Sequence, residues 1–224
     1  MKNKALVPLG LLLSLLMACD EPEQKEDNSI KDIDGNVYTS VVIGEQEWMV
    51  ENLTVTHYRD GTEIPYLVAD ALWRSTDDGA YCYYDNHSSN GDTYGALYNG
   101  YALLDSRNIA PEGWHVPTDA EWEELEMYLG MSKGSKLAGN ADLWVNGELK
   151  NDSEFGKSGF TALPSGWRKA RSEYEDMAVF SFFWTASEQG TSEMWYRRLY
   201  NDEPGIRRGD SYKRSGFSVR LLRD

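Results

Sequence analysis

One stretch constrains this chain more than any other: Gly113-Trp114-His115-Val116-Pro117-Thr118-Asp119-Ala120-Glu121-Trp122-Glu123-Glu124-Leu125. Proline disfavours the helical region for the residue before it, so Val116 is held extended. Thr118 then stands at a helix start. Its hydroxyl can accept from the Glu121 N–H while the Glu121 carboxylate reaches back to the Thr118 N–H. Asp119 and Glu121 sit at the positive end of the helix dipole. Trp122, Leu125 and Leu129 fall on one face at i, i+3 and i+7, and Gly130 is placed to stop the helix.

Around that helix the chain alternates between β-rich runs and turns. Residues 37–43 read as a strand, Gly44-Glu45 turns it, and residues 46–50 return as its hairpin partner. Asp32, Asp34 and Asn36 alternate as in a calcium loop. Gly35 comes too early and the closing glutamate is missing, so a turn is expected there. Residues 70–74 read as a short helix and 81–84 as a strand. Leu97, Tyr101 and Leu104 have helical spacing, which predicts one amphipathic helix over 94–104. The Gly-, Lys- and Asn-rich segment 131–159 reads as a long, mobile, insertion-like loop. Residues 159–168 are extended, 178–187 and 193–199 are strands, 201–205 turn the chain, 206–208 begin a further strand, and 216–222 close it. Strands cluster late and helices in the middle. The fold expected is therefore α+β, with mostly antiparallel sheets, two short helices and long loops.

The start of the chain stands apart. Lys2 and Lys4 precede the apolar run 5–16, which is too short to span a bilayer comfortably and ends in Leu16-Met17-Ala18-Cys19. That junction resembles a bacterial lipobox, although Met17 replaces the usual small residue; the alternative is an ordinary secretory signal with a chance cysteine. The resemblance implies removal of residues 1–18 and lipidation of Cys19, with enough acyl chains for stable membrane anchoring. Residues 20–29 are polar, acidic and free of aromatics, so 19–31 reads as a disordered tether. Acids directly after the cysteine also resemble the surface-export signal of Bacteroidetes lipoproteins. That implies an outer-membrane lipoprotein with its domain at the cell surface. A merely solvated linker, which fits equally well, leaves a periplasm-facing domain open.

The 22 basic residues face 37 acidic ones, and removal of Lys2 and Lys4 leaves 20 against 37, a net charge of −17. Such a chain is a poor partner for nucleic acid and for anionic membrane surfaces, so membrane attachment falls to the lipid on Cys19. About 200 residues suit one domain, 32–224, with a sizeable core. The 8 tryptophans and 14 tyrosines are mostly core; Trp73, Trp167, Trp195 and Tyr196 are the candidates for an exposed sugar-stacking face. With Cys19 lipidated, Cys82 has no disulfide partner, and its aromatic run 80–84 marks it as a small buried residue. No CxxC, HExxH, GxSxG or Walker pattern occurs, and His57, His87 and His115 are scattered. The polar run 85–93 offers the most oxygen donors. Asp85, Asn86, Asn90 and Asp92, together with Trp167, are the candidate ligand-binding residues, and calcium is the cation such a run would take. Plain turn chemistry is the competing account of it.

Several segments carry a family likeness. They are Val41-Val42-Ile43-Gly44-Glu45-Gln46-Glu47-Trp48-Met49-Val50-Glu51-Asn52-Leu53, Tyr81-Cys82-Tyr83-Tyr84-Asp85-Asn86, Tyr94-Gly95-Ala96-Leu97-Tyr98-Asn99, Ala110-Pro111-Glu112-Gly113-Trp114-His115-Val116-Pro117-Thr118, Gly159-Phe160-Thr161-Ala162-Leu163-Pro164 and Gly216-Phe217-Ser218-Val219-Arg220. In this order they resemble the Fibrobacter succinogenes major paralogous domain family over about residues 32–224. Gly100, where an aromatic residue is common, and the sparse 131–159 segment depart from the pattern. The resemblance implies a C-type-lectin-like fold, shared with formylglycine-generating enzymes whose chemistry needs a cysteine pair; Cys82 alone does not supply one. Calcium-binding lectins use a Glu-Pro-Asn or Gln-Pro-Asp loop, and Glu203-Pro204-Gly205 lacks its third ligand.

The function these features favour is a non-catalytic surface module that binds glycan or matrix ligands. A structural or assembly subunit of a surface complex is the alternative, and a large exposed apolar patch would favour it. A glycan-active enzyme using a carboxylate pair such as Asp85 and Asp92 is the third reading.

Overall fold

The computed structural model describes residues 29–130 and 132–224. The expected signal peptide, Cys19 and the tether as far as residue 28 lie outside the described residues. β1 (Ile30–Lys31) and β2 (Val37–Tyr38) form a two-stranded ribbon. The turn between them is organised by Asp32, which accepts from the Asp34 and Asn36 N–H groups at 3.0 and 2.9 Å, as the sequence predicted. β3 (Ser40–Ile43) and β4 (Gln46–Met49) make the expected hairpin. The single strand expected over 37–43 is broken at Thr39, whose N–H goes to the Glu51 carboxylate at 2.7 Å instead of to a ladder.

Next come α1 (Asp70–Ser75), β5 (Tyr81–Cys82), α2 (Ser88–Tyr94), β6 (Leu97–Asn99), α3 (Gly100–Leu104), β7 (Trp114–His115), α4 (Asp119–Leu129) and α5 (Glu148–Asn151). β8 (Ser165–Arg168), β9 (Tyr174–Met177), β10 (Phe180–Gln189), β11 (Glu193–Tyr200), β12 (Glu203–Tyr212), β13 (Gly216–Phe217) and β14 (Leu222–Arg223) complete the chain. The large sheet runs β12-β11-β10-β8-β13-β6-β5, with β9 joined to β8. A smaller sheet runs β3-β4-β14-β7. Among the described strands, pairing is antiparallel except between β10 and β8. The mixed architecture with antiparallel-dominated sheets is therefore as expected.

The helix count is not. Among the described residues five α-helices stand where two were expected; α2 and α5, in segments read as loops, close as short helices without a side-chain cap at their starts. The predicted helix over 94–104 is split: Leu97, Tyr98 and Asn99 are buried in the sheet, and the Asn99 side chain then accepts from the Ala102 N–H at 3.1 Å to start α3. The polar run 85–93, expected as a loop, holds part of a 3-10 turn at Tyr84–Asn86 and most of α2. The expected turn over 201–205 is shorter, since Glu203 already belongs to β12; Pro204 is tolerated because β12 is an edge strand. The expected closing strand divides into β13 and β14, which serve different sheets.

The expected mobile loop over 131–159 is also corrected. It carries two 3-10 turns and α5, and it buries Leu137, Ala138, Trp144 and Leu149 against Trp48 and Trp122. Its glycines allow close contact: a Cβ on Gly147 would lie 2.2 Å from the Asn201 carbonyl oxygen.

α4 is built as its sequence dictates. Thr118 accepts from the Glu121 N–H at 3.3 Å, the Glu121 carboxylate accepts from the Thr118 N–H at 2.7 Å, and Gly130 (φ +94°) ends the helix. Trp122, Leu125 and Leu129 enter the core shared with Trp48, Phe160 and Phe183. On its other side Asp119 receives Arg197 at 2.6 Å and Arg208 at 2.7 Å, and Arg197 also binds Glu126. These charges dock α4 on β11 and β12, and removing Asp119 would leave Arg197, which is 1% exposed, with half of its carboxylate pairing.

Candidate functional site

An open cleft of about 650 Å³ lies where six stretches meet: the Asp32 turn, residues 50–56 after β4, Tyr83, the end of α2, the 161–163 loop and Arg220. Its frame is one buried cation. Arg220, 1% exposed, gives its Nε–H to Asn52 Oδ1 at 2.9 Å and its terminal N–H groups to the carbonyls of Met49 (3.1 Å), Phe160 and Thr161 (3.1 Å). Asn52 passes the connection on, donating to the Tyr94 carbonyl at 2.7 Å. Burial pulls the Arg220 pKa down to about 9, so the side chain still carries its charge at neutral pH.

The walls are fixed from this frame. Thr161 adopts φ +54°, a left-handed conformation that is costly for a β-branched residue. It is held there by Arg220 on its carbonyl and by its own hydroxyl on the Val50 carbonyl at 3.2 Å. Such strain concentrates at functional sites. Tyr83 lies over Gly91, where a Cβ would come within 2.4 Å of its ring. The ring of Tyr83 also lies 5.7 Å from that of Tyr66 and 5.8 Å from that of Tyr81.

Asp34, Glu51 and Asp92 supply the cleft's carboxylates. Asp34 accepts from the Thr56 N–H and from His57 Nδ1, each at 2.5 Å. Burial alone would raise its pKa, but the bonds from Thr56 and His57 outweigh that and hold it below the usual range. Glu51 accepts from the Thr39 N–H and hydroxyl at 2.7 and 2.8 Å. These two carboxylates are set as fixed acceptors. The Thr56–His57–Asp34 group does not have relay geometry, because the threonine hydroxyl and the carboxylate both meet Nδ1, leaving Nε2 towards Glu63 at 4.0 Å.

The residues singled out from sequence are dispersed. Asp92 lines the cleft. Asn90 donates to the Tyr84 carbonyl at 2.8 Å, and Asn86 accepts from the Tyr174 hydroxyl at 2.7 Å, so both side chains hold the surrounding turns. Asp85 is exposed within the 3-10 turn and does not line the cleft. Trp167 is half-buried, packs on Phe182 and Phe217, and gives its indole N–H to Asp176 at 3.0 Å. Of the other aromatic candidates, Trp73 is fully buried, Arg208 covers Trp195 at 3.3 Å, and Tyr196 packs on Phe182 and Phe217. Cys82 is buried as expected. Among the described residues no group of three or more His, Cys, Asp and Glu side chains is placed to hold a metal ion.

Sequence reasoning missed Tyr83, Thr161 and Arg220 as parts of one site. The signal was present: four of the segments carrying the family likeness supply Val50, Glu51 and Asn52, Tyr83, Thr161 and Leu163, and Arg220, and a fifth supplies Gly95. A family model described as Fibrobacter succinogenes major domain matches residues 41–223. No curated protein matches the chain. No solved structure matches it either.

Proposed function

Because the chain belongs to the Fibrobacter succinogenes major domain family, whose name assigns no activity, we propose a function from the cleft itself: a non-catalytic surface module that binds glycan. One observation carries this reading. The likeness-bearing segments converge on an open cleft where an aromatic ring, Tyr83, stands beside fixed carboxylate, amide and hydroxyl groups. Sugars offer an apolar ring face and a fringe of hydroxyl donors, which is what such a wall complements. Asp34 and Glu51, already bound by backbone N–H groups, are pre-organised acceptors, and Asp34, held below the usual carboxylate range, is a poor proton shuttle. The proposal includes a C-type-lectin-like arrangement of the fold. It also includes anchoring in the outer membrane through a lipid on Cys19, with the domain facing outwards on its acidic tether.

A glycan-array screen of residues 20–224, run with calcium and with chelator, tests the function. Saturable binding to a defined glycan set supports it. No binding under either condition overturns it in favour of a protein-binding or assembly role. Surface proteolysis of intact cells tests the orientation separately.

A further inference from the structure

We infer that the cleft selects a glycan bearing free, protonated amines over its neutral N-acylated counterpart, an inference that rests on the glycan reading above. Two independent features point there.

The first is aromatic. Tyr66, Tyr81 and Tyr83 form a mutual ring cluster with centroid separations of 5.2, 5.7 and 5.8 Å. Tyr83 lines the cleft, while Tyr66 is 42% exposed. The cluster therefore carries the aromatic wall from the cleft out to solvent. Tyrosine faces attract cations as well as sugar rings, most strongly where water is partly excluded.

The second is charge. Among the described residues the one cationic side chain lining the cleft is Arg220, which is buried and commits its donors to Asn52 and three backbone carbonyls. The charges a ligand meets are those of Asp34, Glu51 and Asp92. Burial raises the Tyr83 phenol pKa, and Asp92 and Asp34 raise it further, although a bond with Tyr81 works the other way; the carboxylate field thus reaches the ring. An ammonium beside Tyr83 and Asp92 gains both attractions, an N-acetyl group gains neither, and an acidic sugar is repelled.

The test is calorimetric titration of residues 20–224 with two probes of equal length: the tetramer of β-1,4-linked glucosamine at pH 6, and its fully N-acetylated form. The amine tetramer is expected to bind about tenfold more tightly, with an advantage that shrinks as salt rises. Asp92→Asn, an exposed substitution, should remove most of that advantage. Tyr66→Ala, on the solvent side of the cluster, should weaken both probes. Equal binding of the two tetramers, or tighter binding of the acetylated one, overturns the charge selection and leaves the glycan reading standing. Binding of neither, together with a blank array, overturns both. Binding of lysine-rich peptide with no affinity for the amine tetramer also overturns the inference, since the cleft would then be reading a protein.

Discussion

Replacing Arg220 with methionine tests the frame of the cleft. The substitution keeps a long flexible side chain but removes every donor. It leaves the carbonyls of Met49, Phe160 and Thr161 and the Asn52 amide oxygen without the guanidinium. Stranded buried acceptors cost roughly 1–3 kcal/mol each. Part of that is recovered because a buried cation no longer has to be desolvated. The balance comes to about 4 kcal/mol of lost stability, near the upper end for a single substitution. For a domain of this size, that corresponds to a fall in Tm of about 8–16 °C. Arg220→Lys keeps the charge but not the fork, and it should lose about half as much. Urea unfolding followed by tryptophan fluorescence measures both. A second readout is local: Thr161 no longer has Arg220 on its carbonyl, so glycan affinity should fall even under conditions where the variant is fully folded. An Arg220→Met protein within about 1 kcal/mol of the parent, with ligand affinity intact, would refute the claim that this cation frames the site.

Other predictions concern the scaffold. Thr118→Ala should cost about 1 kcal/mol, and adding Glu121→Ala should cost less than the two single effects together, because both residues close one capping box; a double-mutant cycle in urea measures this. Gly100→Ala should lose about 1–3 kcal/mol, since its Cβ would lie 2.6 Å from Met194 Sδ and 3.1 Å from Lys213 Cα; a shift of the urea midpoint at constant slope is the readout. Burial works to raise the Asp119 pKa, but Arg208 and Arg197 outweigh it and hold the value below the ordinary 3.8. The stability this contributes is complete above the ordinary carboxylate range and is lost as pH falls through the depressed value. Unfolding free energy should therefore drop below about pH 4, and Asp119→Asn should flatten that drop while lowering stability at pH 7; an unchanged acid limb would contradict the assignment.

What the sequence announced was local. The Thr118–Glu121 box, the hairpin across Gly44 and the aromatic burial of Cys82 depend on neighbours a few residues away, and each is found where it was expected. The middle of the chain was misread because its signals are tertiary. Gly147 looks like a loop residue, but its missing Cβ is what admits the Asn201 carbonyl, and Trp144 and Leu149 then seal the second core. Leu97, Tyr101 and Leu104 have helical spacing, yet pairing of β6 with β5 and β13 overrides it. The site was hardest to see. Asn52 and Arg220 bond across 168 residues, and no spacing rule connects them. A polar run such as 85–93 attracts notice by composition alone, while three-dimensional placement leaves only Gly91, Asp92 and Thr93, at the end of α2, on the cleft. The likeness-bearing segments held the better signal, because they are the pieces that meet there.

The central claim is that this cleft is the ligand-binding surface. Amide chemical-shift mapping of residues 20–224 during titration with the tightest-binding array glycan tests it most directly. Shifts are expected to concentrate at residues 34–38, 50–56, 91–95 and 161–163 and at Tyr83, with residues 193–212 of the long β11–β12 hairpin unmoved. Shifts clustered instead around Trp167, Trp195 or the β12 edge, with the cleft silent, would contradict it.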